Sequence, residues 1–478
     1  MWKWISSIIG MFEDCFSRKI SFGWFVIVII GLMVRDDHLG LSSIVRSLGL
    51  GVGEYENLIH YFRSTAWEID KIRSRWICAL KQTGYVIKEE SMAILVSDGV
   101  KNAKEGRRMP GVKRLHQESE NVGKGEYIFG HMFGAVGILM GNAKKIFCVS
   151  VSAKVHDGVD SIRQWRSKNK NYKGVTHVVQ TIRDSLSVAA EFGCKCILLL
   201  DSYYLSISAL EEWLSKPKMG MTIVTRAKKS AKAFEFPAPY GGRGRPRIRG
   251  EKVKLMKLFD IYADKFTDVN VTTYGKTEVK HCFYIDLLWG DGLYQPLRFV
   301  LVKEPENNMI LVCTNLTFTA EQIIRLYSYR FKIETAFRSL KQVIGGFTYH
   351  FWCKLQPKLS RYVKNEVNEK VIQNITDERT KTNIAACLKA TEGFVMFSCI
   401  ALGLLQLVAI RFHKEIKGSF FRWVRTDTPD IPSEATVADF MRKTIFMMFE
   451  KMPSLTIVQK IRERQVNDFE DIDISGIS

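Results

Sequence analysis

The feature that most restricts the fold is a change in periodicity near residue 90. Before this point the apolar residues recur at helical spacing, and after it short apolar runs of strand type follow one another. A segment with helical spacing, residues 177–192, separates the third run from the fourth. This alternation predicts an α/β fold with a mixed sheet. The runs are residues 93–96, 127–140, 146–151 and 196–200.

Two of these runs end in an aspartate. The first run leads into Asp98 and the fourth leads directly into Asp201. Open α/β sheets place their chemistry at strand ends, so both aspartates are candidate site residues, with a turn or capping residue as the alternative for each. Asp157, Asp160 and Asp184 are rival carboxylates, but their surroundings predict a loop or a solvated helix.

The segment 319–345 carries a regular polar pattern on a predicted helix. Four polar residues lie at offsets of 0, 3, 7 and 14, and at about 100° per residue they fall on one stripe. Arg338 lies close beside them. Taken alone, such a stripe is typical of a solvated helix face. Its members are Tyr327, Arg330, Glu334 and Lys341.

This spacing resembles the signature of the insertion-sequence-4 family of DDE transposases. The order of parts is also similar: an aspartate after a first strand, another after a later strand, a β-strand insertion, and then the glutamate helix. The resemblance extends from about residue 90 to residue 410. It implies a ribonuclease-H-like mixed-sheet core that excises or integrates mobile DNA with Mg²⁺.

The patterns and the resemblance together predict five parts. A mixed-sheet core is interrupted by a β-strand insertion and flanked by a helical N-terminal domain and a mostly helical C-terminal region. The N-terminal part resembles a DNA-binding helix-turn-helix, although small helical bundles have the same pattern. The parts are residues 1–88 (N-terminal domain), 89–214 (first part of the core), 215–317 (β-rich insertion), 318–412 (completion of the core) and 413–478 (candidate dimerisation region).

The resemblance implies that Asp98, Asp201 and Glu334 are the catalytic residues. They would hold two Mg²⁺ ions, for which Mn²⁺ can substitute, with Asp98 as the bridging ligand. Carboxylates on separate elements suit Mg²⁺, which prefers oxygen ligands and keeps several waters. The resemblance also implies phosphate contacts from the same helix, because Arg grips a phosphate with two hydrogen bonds and Lys acts as a point charge. Those contacts are assigned to Tyr327, Arg330, Arg338 and Lys341.

The excess of basic residues predicts a polyanionic partner. Lys and Arg number 70 against 50 Asp and Glu, which gives a net charge of +20. Ten basic residues lie in the segment 226–254, where residues 243–246 resemble an AT-hook core, and a flexible basic loop is the alternative. Trp289 is a candidate for stacking on a flipped base, with a buried core tryptophan as the alternative. The DNA-binding candidates of the basic segment are Arg243, Arg245, Arg247 and Arg249.

Cysteine usage and apolar runs bear on the compartment. Ten scattered cysteines without a CxxC pair favour a reducing cytoplasm. The family resemblance implies that this is the cytoplasm of a bacterium, with the protein associated with the nucleoid. The apolar run 22–34 is too short to span a bilayer, and the run 394–410 predicts a helix buried in a large core rather than a membrane span. We therefore expect no membrane partner.

Three functions follow from these features. The first is an active cut-and-paste transposase that binds terminal inverted repeats and target DNA, and that forms a homodimer on DNA. The second is a DNA-binding protein derived from a transposase that has lost catalysis, which the presence of all three carboxylates disfavours. The third is another ribonuclease-H-like nuclease such as a resolvase, against which the β insertion and the complete helix signature argue.

Overall fold

The computed structural model describes residues 1–117, 125–142, 144–166, 174–217, 220–242, 244–419, 422 and 429–466. Its helices are α1 (Trp2–Gly10), α2 (Lys19–Val34), α3 (Leu41–Ser47), α4 (Glu54–Arg63), α5 (Ile69–Gln82), α6 (Asp160–Arg166), α7 (His177–Phe192), α8 (Ile207–Leu214), α9 (Leu258–Ile261), α10 (Ala320–Ser328), α11 (Lys332–Gln342), α12 (Asn365–Gln373), α13 (Glu378–Arg411), α14 (His413–Ser419), α15 (Glu434–Lys451) and α16 (Thr456–Arg462). Its strands are β1 (Lys88–Glu89), β2 (Met92–Ala103), β3 (Lys113–His116), β4 (Tyr127–Gly141), β5 (Ile146–Val155), β6 (Cys196–Leu199), β7 (Thr222–Arg226), β8 (Lys232–Phe234), β9 (Lys252–Lys254), β10 (Thr267–Thr273), β11 (Lys276–Trp289), β12 (Gln295–Lys303) and β13 (Met309–Cys313).

One mixed sheet of thirteen strands organises the chain. At its centre the strands lie in the order β5-β4-β2-β6-β7, in which β2, β6 and β7 are parallel and the other two pairings are antiparallel. Helix α7 connects the antiparallel part to β6. This mixed α/β arrangement is consistent with the ribonuclease-H-like core that the resemblance implies.

The strands of residues 215–317 continue the same sheet. β13 pairs with β7, and β12 and β11 follow it, all antiparallel. The β-type pattern of residues 253–262 predicts a strand there, and this prediction is wrong, because after β9 the chain turns into a short helical stretch that includes α9. Apolar residues such as Leu258 and Phe259 are buried there in a helical turn. The boundaries of this part as a separate insertion stay a prediction.

Helix α13 forms the centre of the helical layer. Among the described helices it is the one long and apolar enough to cross a membrane, and its whole apolar window is buried in the protein. It packs on β5 and on helices α2, α4 and α15. The prediction that residues 394–410 form a buried core helix is therefore confirmed. Helix α2, which contains the apolar run 22–34, is buried against it.

The N-terminal part is helical from α1 to α5, as its spacing predicts. Helix α3 packs on α4, and both contact α2. Helices α3 and α4 follow one another in the chain as the two helices of a helix-turn-helix do. DNA contact by the N-terminal part stays a prediction. The polar segment 319–345 begins with the expected cap, since Thr319 and Gln322 form a reciprocal capping box. It is not one helix, however: a 3-10 turn, Tyr329–Phe331, separates α10 from α11.

Candidate active site

The two aspartates lie side by side because β2 and β6 run parallel. The last residue pair between these strands is Val96 with Leu199, and Asp98 and Asp201 each follow two residues later. β6 ends there, as expected. β2 does not, because Asp98 continues to pair with Ala135 of the long strand β4. The expectation that Asp98 ends its strand is therefore wrong, although its position beyond the end of β6 opens its side chain to the cleft.

The three predicted carboxylates meet around one guanidinium group. Arg330 Nη2 lies 3.2 Å from Asp98 Oδ2 and 3.8 Å from Asp201 Oδ2. Arg330 Nη1 donates a hydrogen bond to Glu334, one turn further along the chain. The 3-10 turn before α11 carries Arg330, so the tightened backbone and the first turn of α11 present both side chains to the same point.

Burial and mutual repulsion shape the charges of this carboxylate cluster. Burial raises the pKa of Asp98, and Asp201 and Glu334 raise it further, against the lowering effect of Arg330. Burial by itself lowers the pKa of Arg330, but the three carboxylates outweigh it and the pKa is raised. Three carboxylates and one guanidinium leave a net charge of about −2, so the cluster favours additional cations.

The donor chemistry of the cluster fits a hard divalent cation. Oxygen ligands from two strands and a helix are what Mg²⁺ and Mn²⁺ prefer. Within the described part of the chain, however, no three His, Cys, Asp or Glu side chains stand close enough to share an ion. The guanidinium of Arg330 lies in the space between the carboxylates. The residues fit the ion by chemistry and charge, and metal binding requires this side chain to move.

The cleft beside the carboxylates carries basic side chains. Asp98 and Asp201 share its lining with residues from β2 and β3, namely Lys101, Lys113, Arg114 and His116. Four basic residues follow Asp98 closely in sequence, and this position predicts that they guide the DNA strand: Arg107, Arg108, Lys113 and Arg114. Of these, Lys113 and Arg114 line the cleft. Lys101 and His116 were missed, since the pairing that brings β3 next to β4 is not readable from spacing.

The remaining predicted DNA contacts fall at different distances from the cluster. Tyr327 is half-buried beside it, and burial and the nearby Asp201 raise the pKa of Tyr327 to about 12. Arg338 and Lys341 are exposed further along α11. Lys341 comes seven residues after Glu334, about 10 Å along a helix.

The basic segment is more varied than its sequence indicates. Arg245 and Arg247 are exposed, whereas Arg249 is half-buried, with its guanidinium carbon 4.4 Å from the ring centre of Phe234. Trp289, at the end of β11, is half-buried and packs against the hydrophobic core. Arg243 lies outside the described residues. Base stacking by Trp289 and DNA contact by the arginines stay predictions.

Four buried polar residues near the cluster were missed by sequence reasoning. Asp184 was expected on a solvated helix, but only 5% of it is exposed, and the prediction of its surroundings is wrong. His156, His177 and Tyr204 are buried with it. A signal was present, since His177 and Asp184 are seven residues apart and so share one face of α7.

Comparison with protein families adds one finding to this geometry. Residues 142–350 match the family model described as the transposase DDE domain. The matched segment contains Asp201 and Glu334 and begins after Asp98. Domains of this kind generally use divalent metals, in agreement with the oxygen ligands of the cluster. No curated protein matches the chain.

Proposed function

We propose that the chain is a DDE transposase, as its match to the transposase DDE domain supports, and that it moves an insertion sequence of the insertion-sequence-4 family by cut-and-paste transposition. The reaction is hydrolysis of phosphodiester bonds at the element's ends, followed by joining of the freed 3′ hydroxyls to target DNA. The observation that carries this proposal is the meeting of Asp98, Asp201 and Glu334 around Arg330, although they lie far apart in sequence.

The carboxylate cluster is the proposed metal site. Asp98, Asp201 and Glu334 would together hold two divalent ions. Two bound Mg²⁺ or Mn²⁺ ions supply an activated water or hydroxyl nucleophile and neutralise charge on the phosphate. The chain contributes the geometry, because two ligands are fixed at the edge of a sheet and the third is on a helix packed against it.

Arg330 has two successive roles in this proposal. Without DNA and metal, its guanidinium offsets one of the three negative charges of the cluster through the contacts described above. With ions held by the carboxylates, the side chain would be free to grip a DNA phosphate with two parallel hydrogen bonds. Tyr327 lies beside it and donates one hydroxyl hydrogen bond, and Arg338 and Lys341 extend the phosphate contacts along α11.

DNA binding extends beyond the cluster. Lys113 and Arg114 line the cleft and would guide the strand to be cut. The basic residues of 226–254 would hold flanking DNA, and Trp289 would receive an unstacked base. The partners are the element's terminal inverted repeats and the target DNA, bound by a homodimer to which residues 413–478 contribute. The proposed location is the nucleoid in the bacterial cytoplasm.

A cleavage assay tests the proposal against its alternatives. The full chain, given Mg²⁺ and DNA that carries the inverted repeats flanking its own gene, should release a 3′ hydroxyl at each end. Binding without cleavage would favour the inactive, transposase-derived DNA-binding protein. Cleavage without strand transfer into a second DNA would favour a resolvase-like nuclease.

The basic segment gives a second prediction. The double variant Arg243→Gln/Arg245→Gln should bind DNA ends more weakly, and the plot of log affinity against log salt should become less steep by about 1 to 2, because each lost phosphate contact removes roughly 0.9 from the slope. Fluorescence anisotropy from low to moderate salt measures this slope.

A control variant separates phosphate contact from a general change of charge. Lys370→Gln/Arg379→Gln removes the same two charges from exposed positions on α12 and α13. It should leave the salt slope close to that of the wild type. An unchanged slope in the Arg243→Gln/Arg245→Gln variant would refute a phosphate-contacting role for these two arginines.

A further inference from the structure

A row of four buried polar side chains leads from Asp98 into the protein. Tyr204 Oη lies 3.3 Å from Asp98 Oδ1 and 2.9 Å from His177 Nε2. The Nδ1 atoms of His177 and His156 are 2.8 Å apart, and His156 Nε2 lies 2.9 Å from Asp184 Oδ2. We refer to Tyr204, His177, His156 and Asp184, all of them buried, as the relay.

The sheet beneath the relay leaves room for its two histidine rings. Gly99 of β2 and Gly134 of β4 are direct partners across the strand pair. A Cβ atom on Gly99 would lie 2.7 Å from His177 Nε2, and one on Gly134 would lie 1.8 Å from His156 Cε1. Any other residue at position 134 would displace the His156 ring, so the backbone itself is adapted to the relay.

One end of the relay is a fixed anion. Burial by itself raises the pKa of Asp184, but the hydrogen bond from His156 and the charge of Lys154 outweigh it, and the pKa is lowered to about 2. Lys154 Nζ is 3.8 Å from Asp184 Oδ1, and Gln180 Nε2 donates to the same oxygen at 3.1 Å. Asp184 is therefore a carboxylate at neutral pH and accepts a hydrogen bond from His156 Nε2.

The number of protons that the relay can hold decides the direction of its remaining hydrogen bonds. Only one proton fits between the two Nδ1 atoms. If His177 supplies it, His177 Nε2 must accept from the Tyr204 hydroxyl, and Asp98 then faces an oxygen lone pair. If His156 supplies it, His177 Nε2 donates to Tyr204, and Tyr204 donates to Asp98.

Only the second arrangement satisfies every contact of the relay. It places a proton on both nitrogens of His156, and the buried Asp184 anion stabilises that imidazolium. Burial and the charge of His156 lower the pKa of His177 to about 3, so His177 stays neutral, as this arrangement requires. His156 Nδ1, His177 Nε2 and Tyr204 Oη then each donate in the direction of Asp98, while His156 Nε2 donates to Asp184.

We propose that the relay positions the Asp98 carboxylate for metal binding, because the Asp184–His156 pair directs the hydrogen bond of the Tyr204 hydroxyl to Asp98 Oδ1. This inference rests on the proposed function, which assigns Asp98 to the metal site. The four members are positioning residues that act through Asp98. Hydrogen bonds of this kind behind a metal ligand fix its orientation and contribute to metal affinity.

A double-mutant cycle tests the relay, with Mn²⁺ binding to the full chain measured by isothermal titration calorimetry. Tyr204→Phe should weaken Mn²⁺ binding about 10-fold. Asp184→Asn, four hydrogen bonds from the carboxylate, should weaken it to a similar extent, because a neutral amide no longer stabilises the His156 imidazolium and Tyr204 turns to His177. The double variant should bind no more weakly than Tyr204→Phe alone, since both changes remove the same bond. Additive losses, or an unchanged affinity in Tyr204→Phe, would overturn the proposal.

Two controls complete the experiment. Ser185→Ala removes a buried hydroxyl of α7 that donates to the Thr181 carbonyl, and it should leave Mn²⁺ affinity unchanged. If Asp184→Asn does not fold, His156→Gln replaces it in the cycle. Wild-type protein that binds no Mn²⁺ would overturn the proposed function and the relay together. Normal wild-type binding with no coupling between Tyr204 and Asp184 would overturn the relay alone.

Discussion

Glu334→Gln is expected to reduce cleavage of DNA ends by on the order of 1000-fold, which corresponds to about 4 kcal/mol of transition-state stabilisation. Glutamine keeps the shape of the side chain and can still accept the hydrogen bond from Arg330, so the site should stay folded. It lacks the charge that holds a divalent cation. Binding of DNA ends, which depends on basic residues outside the cluster, should be largely unaffected. Cleavage of labelled ends and anisotropy on the same DNA measure the two effects separately.

A matched glutamate lies on the preceding helix. Glu321 of α10 is paired with Arg325 and does not contact the carboxylate cluster. Glu321→Gln removes the same charge and should leave the cleavage rate within about threefold of the wild type, as expected for a substitution away from the reacting groups. Cleavage retained by Glu334→Gln would rule out the assignment of Glu334 as a metal ligand.

Two buried neutral histidines are expected together to contribute about 3 kcal/mol of stability at pH 7.5 that is lost by pH 5.5. Burial lowers the pKa of His131 to about 4 and that of His177 to about 3. Both pKa values are depressed in the folded state, so the stabilisation is complete above the ordinary histidine value of 6.5 and is lost as the pH falls toward the folded values. Over the stated interval the unfolded chain takes up nearly one proton at each histidine, while the folded chain does not, and each contributes about 1.4 kcal/mol.

The interval is chosen so that carboxyl groups do not obscure the effect. The lowered pKa of Asp184 acts only below the ordinary value for aspartate, and the raised pKa of Asp98 acts in the opposite direction to the histidines. Urea unfolding at several pH values measures the slope of the unfolding free energy against pH. His131→Gln should reduce it by about one proton, whereas His60→Gln, at an exposed position, should leave it unchanged. The prediction would be contradicted if His131→Gln and the wild type had the same slope over this interval.

The local sequence pattern predicts the helices and strands that carry the site, whereas long-range strand pairing determines how these elements come together. The spacing over residues 177–192 predicts α7 with the bounds that it has in the structure, and the family resemblance implies Asp98, Asp201 and Glu334 as the site residues. That Asp98 lies inside a strand depends on the length of β4, which no local pattern around Asp98 contains. The break at Tyr329–Phe331 also cannot be predicted from the local sequence, because helical spacing continues across a 3-10 turn.

The buried relay lay beyond sequence reasoning for a different reason. A histidine or an aspartate at a given position has the same local pattern whether it faces water or a partner. His156 and Asp184 are 28 residues apart in the chain, and the packing of α7 on the sheet brings them together. Whether a polar residue is buried depends on the residues that pack against it, and here those residues lie in different elements.

Arg330 gives the carboxylate cluster a counter-ion that belongs to the chain itself. Under the proposed function, chelators such as EDTA should remove the divalent ions without unfolding the protein, because the three carboxylates then share this guanidinium. The protein could then be purified and bound to DNA in an inactive form, and cleavage could be started at a chosen moment by adding magnesium.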